Sequence, residues 1–475
     1  MSKVIQWYVD NIQNPETDVE LSNYFPWNCM YKKGIQSVMR NLHKNKDEGS
    51  FGRYTFRSDK VHHSWRNFKN ETEIKFITKN SNDYVSNNIN IFPIRFLANE
   101  DQIFANPHLC PFANLPNETL QWLRDHPDCT IVLHDPHEAK AISDELFTTI
   151  PALIVKRKHY KLENKFVFLD SRANPEVLTQ YSDYFIPKWL HFVGANHWVQ
   201  FASHTMSYEN IEVIKSNSKK EPLFDQGRFL MYGGRFRPTR YFITNQVLKS
   251  VPREQLWLRL AKRKNSDTIN EYIINPVKHS NYENSKRNIK NPFNDNDCED
   301  FINLYKQTPI DTFPKNLKED GTDYENYKFF WLPNPNHYSK VFVDISCETY
   351  NERSGRHSKD IFLTEKVCKP LWAGRPFITS ANPGFYNELK KLGFKTFDKW
   401  WDESFAEDCD TKTHAKRLLD TIKYVSSLTK EQCREMYHDM LPTLQHNQKT
   451  IEQLSYTSPR LWIQEIKQLR HNGLI

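Results

Sequence analysis

The chain has 475 residues, 38% of them hydrophobic and 14% aromatic, enough for two or three domains with buried cores, and its 13 glycines are too few for a fibrous or linker-dominated architecture. A formal net charge of +7, from 65 basic and 58 acidic residues, suits anionic ligands without requiring nucleic acid. Eight scattered cysteines form no C-x-x-C pair and no zinc spacing, which fits reduced thiols rather than a disulfide scaffold or a structural metal site.

The N-terminal stretch carries no basic-then-apolar signal pattern, and no apolar run of about 20 residues marks a membrane span. The expected location is therefore cytoplasmic, and the sequons at Asn70 and Asn117 read as chance matches. Abundant Asn and Lys fit an AT-rich genome, and hence a bacterial or virus-infected cell. Residues 1–70 read as irregular. Within 31–75, 11 Lys/Arg face 5 Asp/Glu among aromatic residues such as Tyr54 and Trp65. That pattern suits nucleic acid, sugar stacking or plain solvent exposure.

From there, short apolar runs alternate with helical stretches. Strands are expected at Ile74–Thr78, Thr130–His134, Leu153–Lys156, Phe166–Leu169 and Trp189–Val193, with helices starting at Asn117 and Asn174. The polar stretch 216–224 reads as a linker between an N-terminal domain, 1–215, and a C-terminal domain, 225–440, with C-terminal helices over 441–475. In the second half, Arg228–Tyr232, Leu256–Leu260, Val341–Ser346, Pro376–Thr379 and Phe394–Phe397 read as strands. Thr239–Lys249 and Phe385–Leu392 read as helices, the latter stopped by Gly393. Residues 264–296, rich in Asn and Lys, read as a surface insertion. Such alternation implies an α/β chain of two Rossmann-like domains with parallel sheets facing a cleft.

Three clusters carry chemistry. In the first, Gly233-Gly234-Arg235-Phe236-Arg237-Pro238-Thr239-Arg240 joins a strand to a helix. Its glycines admit a ligand to the backbone and its arginines offer forked contacts to phosphate, although it is neither a P-loop nor a dinucleotide fingerprint. In the second, Glu348 directly follows a buried strand, and Thr364 N-caps a helix whose first turn holds Glu365 and Lys366. A carboxylate there can grip two ribose hydroxyls and an ammonium can neutralise a diphosphate; the plain alternative is an exposed charged pair at a surface helix start. Arg353, Arg356 and His357 lie in the intervening loop. In the third, His134-Asp135-Pro136-His137-Glu138 follows a strand, and Asp135 and Glu138 are candidates for a general base. A metal hydrolase centred on His134 and His137 is a rival reading. The Asp-x-Asp pairs Asp295/Asp297 and Asp408/Asp410 do not follow apolar strands and read as loops, so a reaction that needs no metal is expected.

The run Val341–Ser346, Glu348, Leu363-Thr364-Glu365-Lys366, Gly374 and Pro376-Phe377-Ile378 resembles the donor-binding signature of α-1,3-fucosyltransferase-like GT-B glycosyltransferases, as does the arginine-bearing turn. The likeness covers about 228–405, and the continuation from Gly393 to Ser404 is similar to bacterial and phage relatives. It implies a GT-B fold, a nucleotide-sugar donor (GDP- or UDP-linked) and no cofactor. Glu365 would hold the ribose. Lys366 and Arg240, with Arg235 or Arg237, would hold the diphosphate, and Glu348 would lie near the donor sugar. Two departures stand out. Thr349 follows Glu348 where the family has Asn-Ser, which leaves the sugar open, and Pro370 stands within the helix, where a kink is expected. The expected acceptor is a glycan hydroxyl. A modified base in phage DNA is a second acceptor, and a non-catalytic nucleotide- or carbohydrate-binding protein is a rival of another class.

Overall fold

A computed structural model of the chain describes residues 5–8, 74–77, 84–95 except 87, 117–134, 154–170 except 156, 186–194, 216, 219–233 except 225–226, 238–260, 335–348, 351, 353 and 356–474. It forms two compact units, Met1–Gln200 with Ser455–Ile475, and Phe201–Leu454. Both are α/β with wholly parallel pairing among the described residues.

Among the described residues the first unit holds six strands, β1 (Ile5–Tyr8), β2 (Ile74–Ile77), β3 (Ile89–Arg95), β4 (Thr130–His134), β5 (Phe166–Asp170) and β6 (Leu190–Gly194), in the order β2-β1-β3-β4-β5-β6. Helix α1 (Asn117–Asp125) enters the core through Leu120 and Leu123, and Ile131, Val132, Phe166 and Phe168 fill the sheet. Strands β1 and β3 arise where no regular element is expected. In β3, Pro93 has no N–H to give a ladder. Its register partner is Val132 on β4, while β1 pairs only with Ile89, Asn90 and Ile91, so the proline lies beyond the doubly bonded part of the strand. The strand expected at Leu153–Lys156 is not formed: residues 154–155 and 157–159 are helical, and Val155 is 64% exposed instead of lining a sheet.

The second unit holds β7 (Phe229–Gly233), β8 (Leu256–Leu260), β9 (Val343–Cys347) and β10 (Phe377–Ser380), in the order β10-β9-β7-β8. Its helices are α2 (Pro238–Ser250), α3 (Pro335–Tyr338), α4 (Glu365–Ala373), α5 (Phe385–Lys391), α6 (Thr411–Ser427) and α7 (Lys430–His471), the last continuing into residues of the first unit. Strand β9 is buried along its whole length, as befits a central parallel strand, with Asp344 and Ser346 buried among its apolar residues. From β7 the chain moves outward in one direction to β8 through α2, and from β9 in the other direction to β10 through α4. Right-handed crossovers then place α2 and α4 on opposite faces, and the order reverses between β7 and β9. The six-stranded sheet shows the same reversal between β1 and β3.

The 219–224 stretch packs into the second unit. Leu223 N–H donates to Lys340 O at 3.0 Å, and Phe224 is fully buried against Phe342 and Tyr437. Arg228, 4% exposed, closes the end of α6 by donating to Val425 O, Ser426 O and Leu428 O. The strand expected at Phe394–Phe397 is absent, because a side chain takes the place of a neighbouring strand: Lys395 N–H donates to Asn447 Oδ1 and Asn447 Nδ2 donates to Lys395 O, both at 2.8 Å.

Helix α4 ends in a Schellman turn. Gly374 N–H donates to Leu371 O and Arg375 N–H to Pro370 O, with Gly374 left-handed at φ 59°. A Cβ there would meet Gln448 Cδ at 2.7 Å. Gly374→Ala is therefore expected to lower stability by roughly 1–2 kcal/mol, read as a downward shift in urea midpoint.

Candidate functional site

The carboxyl ends of β7 and β9 flank the reversal point of the second sheet, the place where parallel α/β sheets bind ligands. Three segments converge there. Arg240, on the first turn of α2, is 8% exposed, and its Nη2 donates to Glu348 O at 3.2 Å across 108 positions of sequence. Glu348 directly follows β9 and is 1% exposed. Both of its carboxylate oxygens engage the cap of α4: Thr364 N–H donates to Oε1 at 3.3 Å and Thr364 Oγ1 donates to Oε2 at 2.5 Å.

Thr364 is the N-cap that its sequence position suggests. Its hydroxyl accepts from Lys366 N–H at 3.3 Å and from Lys366 Nζ at 3.1 Å while donating to Glu348, so its one donor and two acceptor sites are filled. This places Glu365 and Lys366 at the first two helical positions, at the positive end of the helix dipole. Lys366 Nζ lies 2.8 Å from Glu365 Oε1, and the two side chains are 18% and 12% exposed. Burial raises the Glu365 carboxyl, but the ammoniums of Lys366 and Lys369 outweigh it and hold the group below the ordinary carboxylate value. Glu365 thus stays ionised and able to accept from a pair of hydroxyls.

A second layer supports this turn. Lys369, one turn beyond Glu365, lies 5.1 Å from the Tyr232 ring centre, and burial lowers its ammonium to about 8. Tyr232 OH is 2.6 Å from His337 Nδ1. On β9, Asp344 accepts from Tyr338 OH at 2.6 Å, and burial pushes its carboxyl up to about 7. Lys369 and His337 hold Tyr232 near the carboxyl end of β7, and Tyr338 holds Asp344 near the amino end of β9.

The loop after Glu348 is anchored from inside. Arg353, in that loop, is 5% exposed and donates to Ala381 O, Ala406 O and Asp408 O at 2.5, 2.7 and 3.1 Å. Next to it, Asn351 Nδ2 donates to Ser380 Oγ at 2.5 Å, and Ser380 Oγ lies 2.7 Å from His414 Nε2. His414 Nδ1 lies 2.7 Å from Phe405 O, which makes Nδ1 the protonated nitrogen and Nε2 the acceptor. Burial, then the Arg353 charge, lower the His414 imidazole to about 3, so it is neutral. This buried serine–histidine pair is a structural clamp.

Asp135, Glu138, Arg235 and Arg237 lie outside the described residues, as do His137 and Asp295/Asp297. His134 ends β4. Asp410 N-caps α6 through Thr413 N–H, and Asp408 pairs with Arg417 at 2.8 Å. No group of three or more His, Cys, Asp or Glu is arranged to hold a metal ion, and no helix is long and apolar enough to cross a membrane, among the described residues. No protein-family model matches the chain, and no curated protein matches it.

Proposed function

We propose that the second unit binds a nucleotide sugar, GDP- or UDP-linked, and that the chain is a GT-B glycosyltransferase of the fucosyltransferase-like kind. The observation that carries this reading is the convergence of Arg240, Glu348, Thr364, Glu365 and Lys366 on one reversal point of a parallel sheet. Two carboxylates and two cations meet at a helix N-terminus, a set of groups that suits a ribose and a diphosphate together.

In this reading Glu365 accepts from two neighbouring ribose hydroxyls, while Lys366 and Arg240 face the diphosphate. The acceptor hydroxyl attacks the anomeric carbon from the side opposite the leaving group. One C–O bond forms, the bond to the diphosphate oxygen breaks, and the configuration inverts. The acceptor proton passes to a carboxylate, for which Asp135 and Glu138, following β4, are the candidates. Lys366 and Arg240 neutralise the charge that grows on the departing diphosphate, so the reaction needs no divalent ion. Glu348 acts through Thr364, whose hydroxyl it orients.

Incubation of the full chain with GDP- and UDP-sugars, in the presence and absence of oligosaccharide acceptors and with nucleotide release followed by mass spectrometry, tests the proposal. Release of one nucleoside diphosphate, undiminished by chelator, is expected. The absence of release from every donor would reject it.

A further inference from the structure

A cavity of about 430 Å³ on the second unit is lined by Trp400, Trp401, Asp402, Arg417, Asp420 and Tyr424, together with Thr421. None of its lining residues belongs to the group around Glu348; its wall on α6 runs from Arg417, paired with Asp408, to Tyr424, one residue from the Val425 carbonyl that accepts from Arg228 just ahead of β7. Its volume falls within the roughly 300–1,000 Å³ of small-molecule clefts.

The lining joins aromatic rings to carboxylates, and much of it is held in place before any ligand arrives. Trp400 is fixed by its indole N–H, which donates to Asp439 Oδ2 at 2.6 Å, and by Lys399, 5.1 Å from the ring centre. Tyr424 is 45% exposed on α6. Asp402 is oriented by Ser404 N–H at 2.9 Å, and its other oxygen faces Arg417 at 3.3 Å. Asp420 is exposed and carries no hydrogen bond or ion pair among the described residues. The indole N–H of Trp401, a residue 4% exposed, is buried with no acceptor among the described residues. A buried donor of that kind costs about 1–3 kcal/mol unless something accepts from it.

We propose that this cavity binds a pyranose unit of a neutral glycan. A sugar ring offers an apolar C–H face, which an aromatic ring covers, and an edge of hydroxyls that donate to carboxylates and accept from N–H groups. The aromatic residues supply the apolar face, and the two aspartates accept from the hydroxyls. Asp402 and Asp420 disfavour phosphate- or sulfate-bearing chains, which separates this site from one for nucleic acid. The site holds a glycan apart from the donor group, and its binding requires no nucleotide.

Titration calorimetry of the full chain with cellohexaose, maltohexaose, chitohexaose and a heparin-derived hexasaccharide tests this without nucleotide present. At least one neutral oligosaccharide is expected to bind, and Tyr424→Ala and Asp420→Ala are each expected to weaken it by roughly five- to tenfold. Both positions are exposed, so unchanged thermal melts would show that the variants are folded. Glu365→Gln is expected to bind the same oligosaccharide as tightly as the unaltered chain, whatever the fate of the donor assignment. Failure of all three neutral oligosaccharides to bind, binding of the heparin fragment alone, or affinity unchanged in both cavity variants would overturn the proposal.

Discussion

Lys366→Met is expected to slow sugar transfer by at least about a hundredfold while leaving the thermal unfolding curve nearly unchanged. The ammonium stands at the first turn of α4, where charge would grow on the departing diphosphate, and a preorganised donor at such a point is worth about 10²–10³ in rate. At rest it pairs with its neighbour Glu365 at 2.8 Å, partly exposed, and donates to Thr364 Oγ1 at 3.1 Å, and exposed pairs of that kind contribute about 0–1 kcal/mol to stability. Glu365→Gln keeps the shape but removes the charge that accepts from ribose, and a loss of similar size is expected, chiefly as weaker donor binding. Steady-state transfer assays on both variants would show it. Turnover close to that of the unaltered chain in both would place the donor elsewhere.

The second large effect concerns folding. Arg353→Met is expected to destabilise the second unit by about 3–5 kcal/mol, because two buried carbonyls and a partly buried one lose a charged donor at once. Its neighbour His414 adds a pH dependence. With its native value at about 3 and an ordinary value of 6.5, the unfolded chain takes up this proton first as the pH falls. The stability that the neutral ring contributes is complete above pH 6.5 and is lost progressively between 6.5 and 3, by about 1.4 kcal/mol per unit. Asp344 and Glu403, both pushed up to about 7 by burial, act in the opposite sense: their contribution is complete at low pH and fades as the pH rises toward 7. Urea unfolding of the unaltered chain and His414→Gln at pH 6.5 and 5.5 isolates the histidine. Because the two carboxyls gain over that interval in both proteins, the histidine shows as a difference: on going from pH 6.5 to 5.5 the change in stability is expected to be less favourable in the unaltered chain than in the variant by about 1 kcal/mol, and equal changes would contradict the assignment.

What was legible in the sequence was mostly local. Thr364 announced the start of α4 because capping involves neighbours two positions apart, and Gly374 announced its end because a left-handed turn follows from a single residue. The mostly apolar run Val341–Ser346 marked a buried strand, β9. Strand order was not legible, because the meeting of Arg240 with Glu348 depends on β9 joining β7 across the insertion between them. Asn447 taking the place of a strand partner at Lys395, and Arg353 turning inward, are likewise settled by segments some fifty residues further on, 52 in the first case and 53 in the second. The cavity shows the same limit: Trp400, Trp401 and Asp402 stand together in sequence, but its other wall comes from α6.

Titration calorimetry with GDP and UDP bears most directly on the assignment of a nucleoside diphosphate to the α4 N-terminus. One of the two is expected to bind the full chain, and Lys366→Met and Glu365→Gln are each expected to weaken that binding by roughly tenfold or more. Binding of neither nucleotide, or affinity unchanged in both variants, would contradict the assignment.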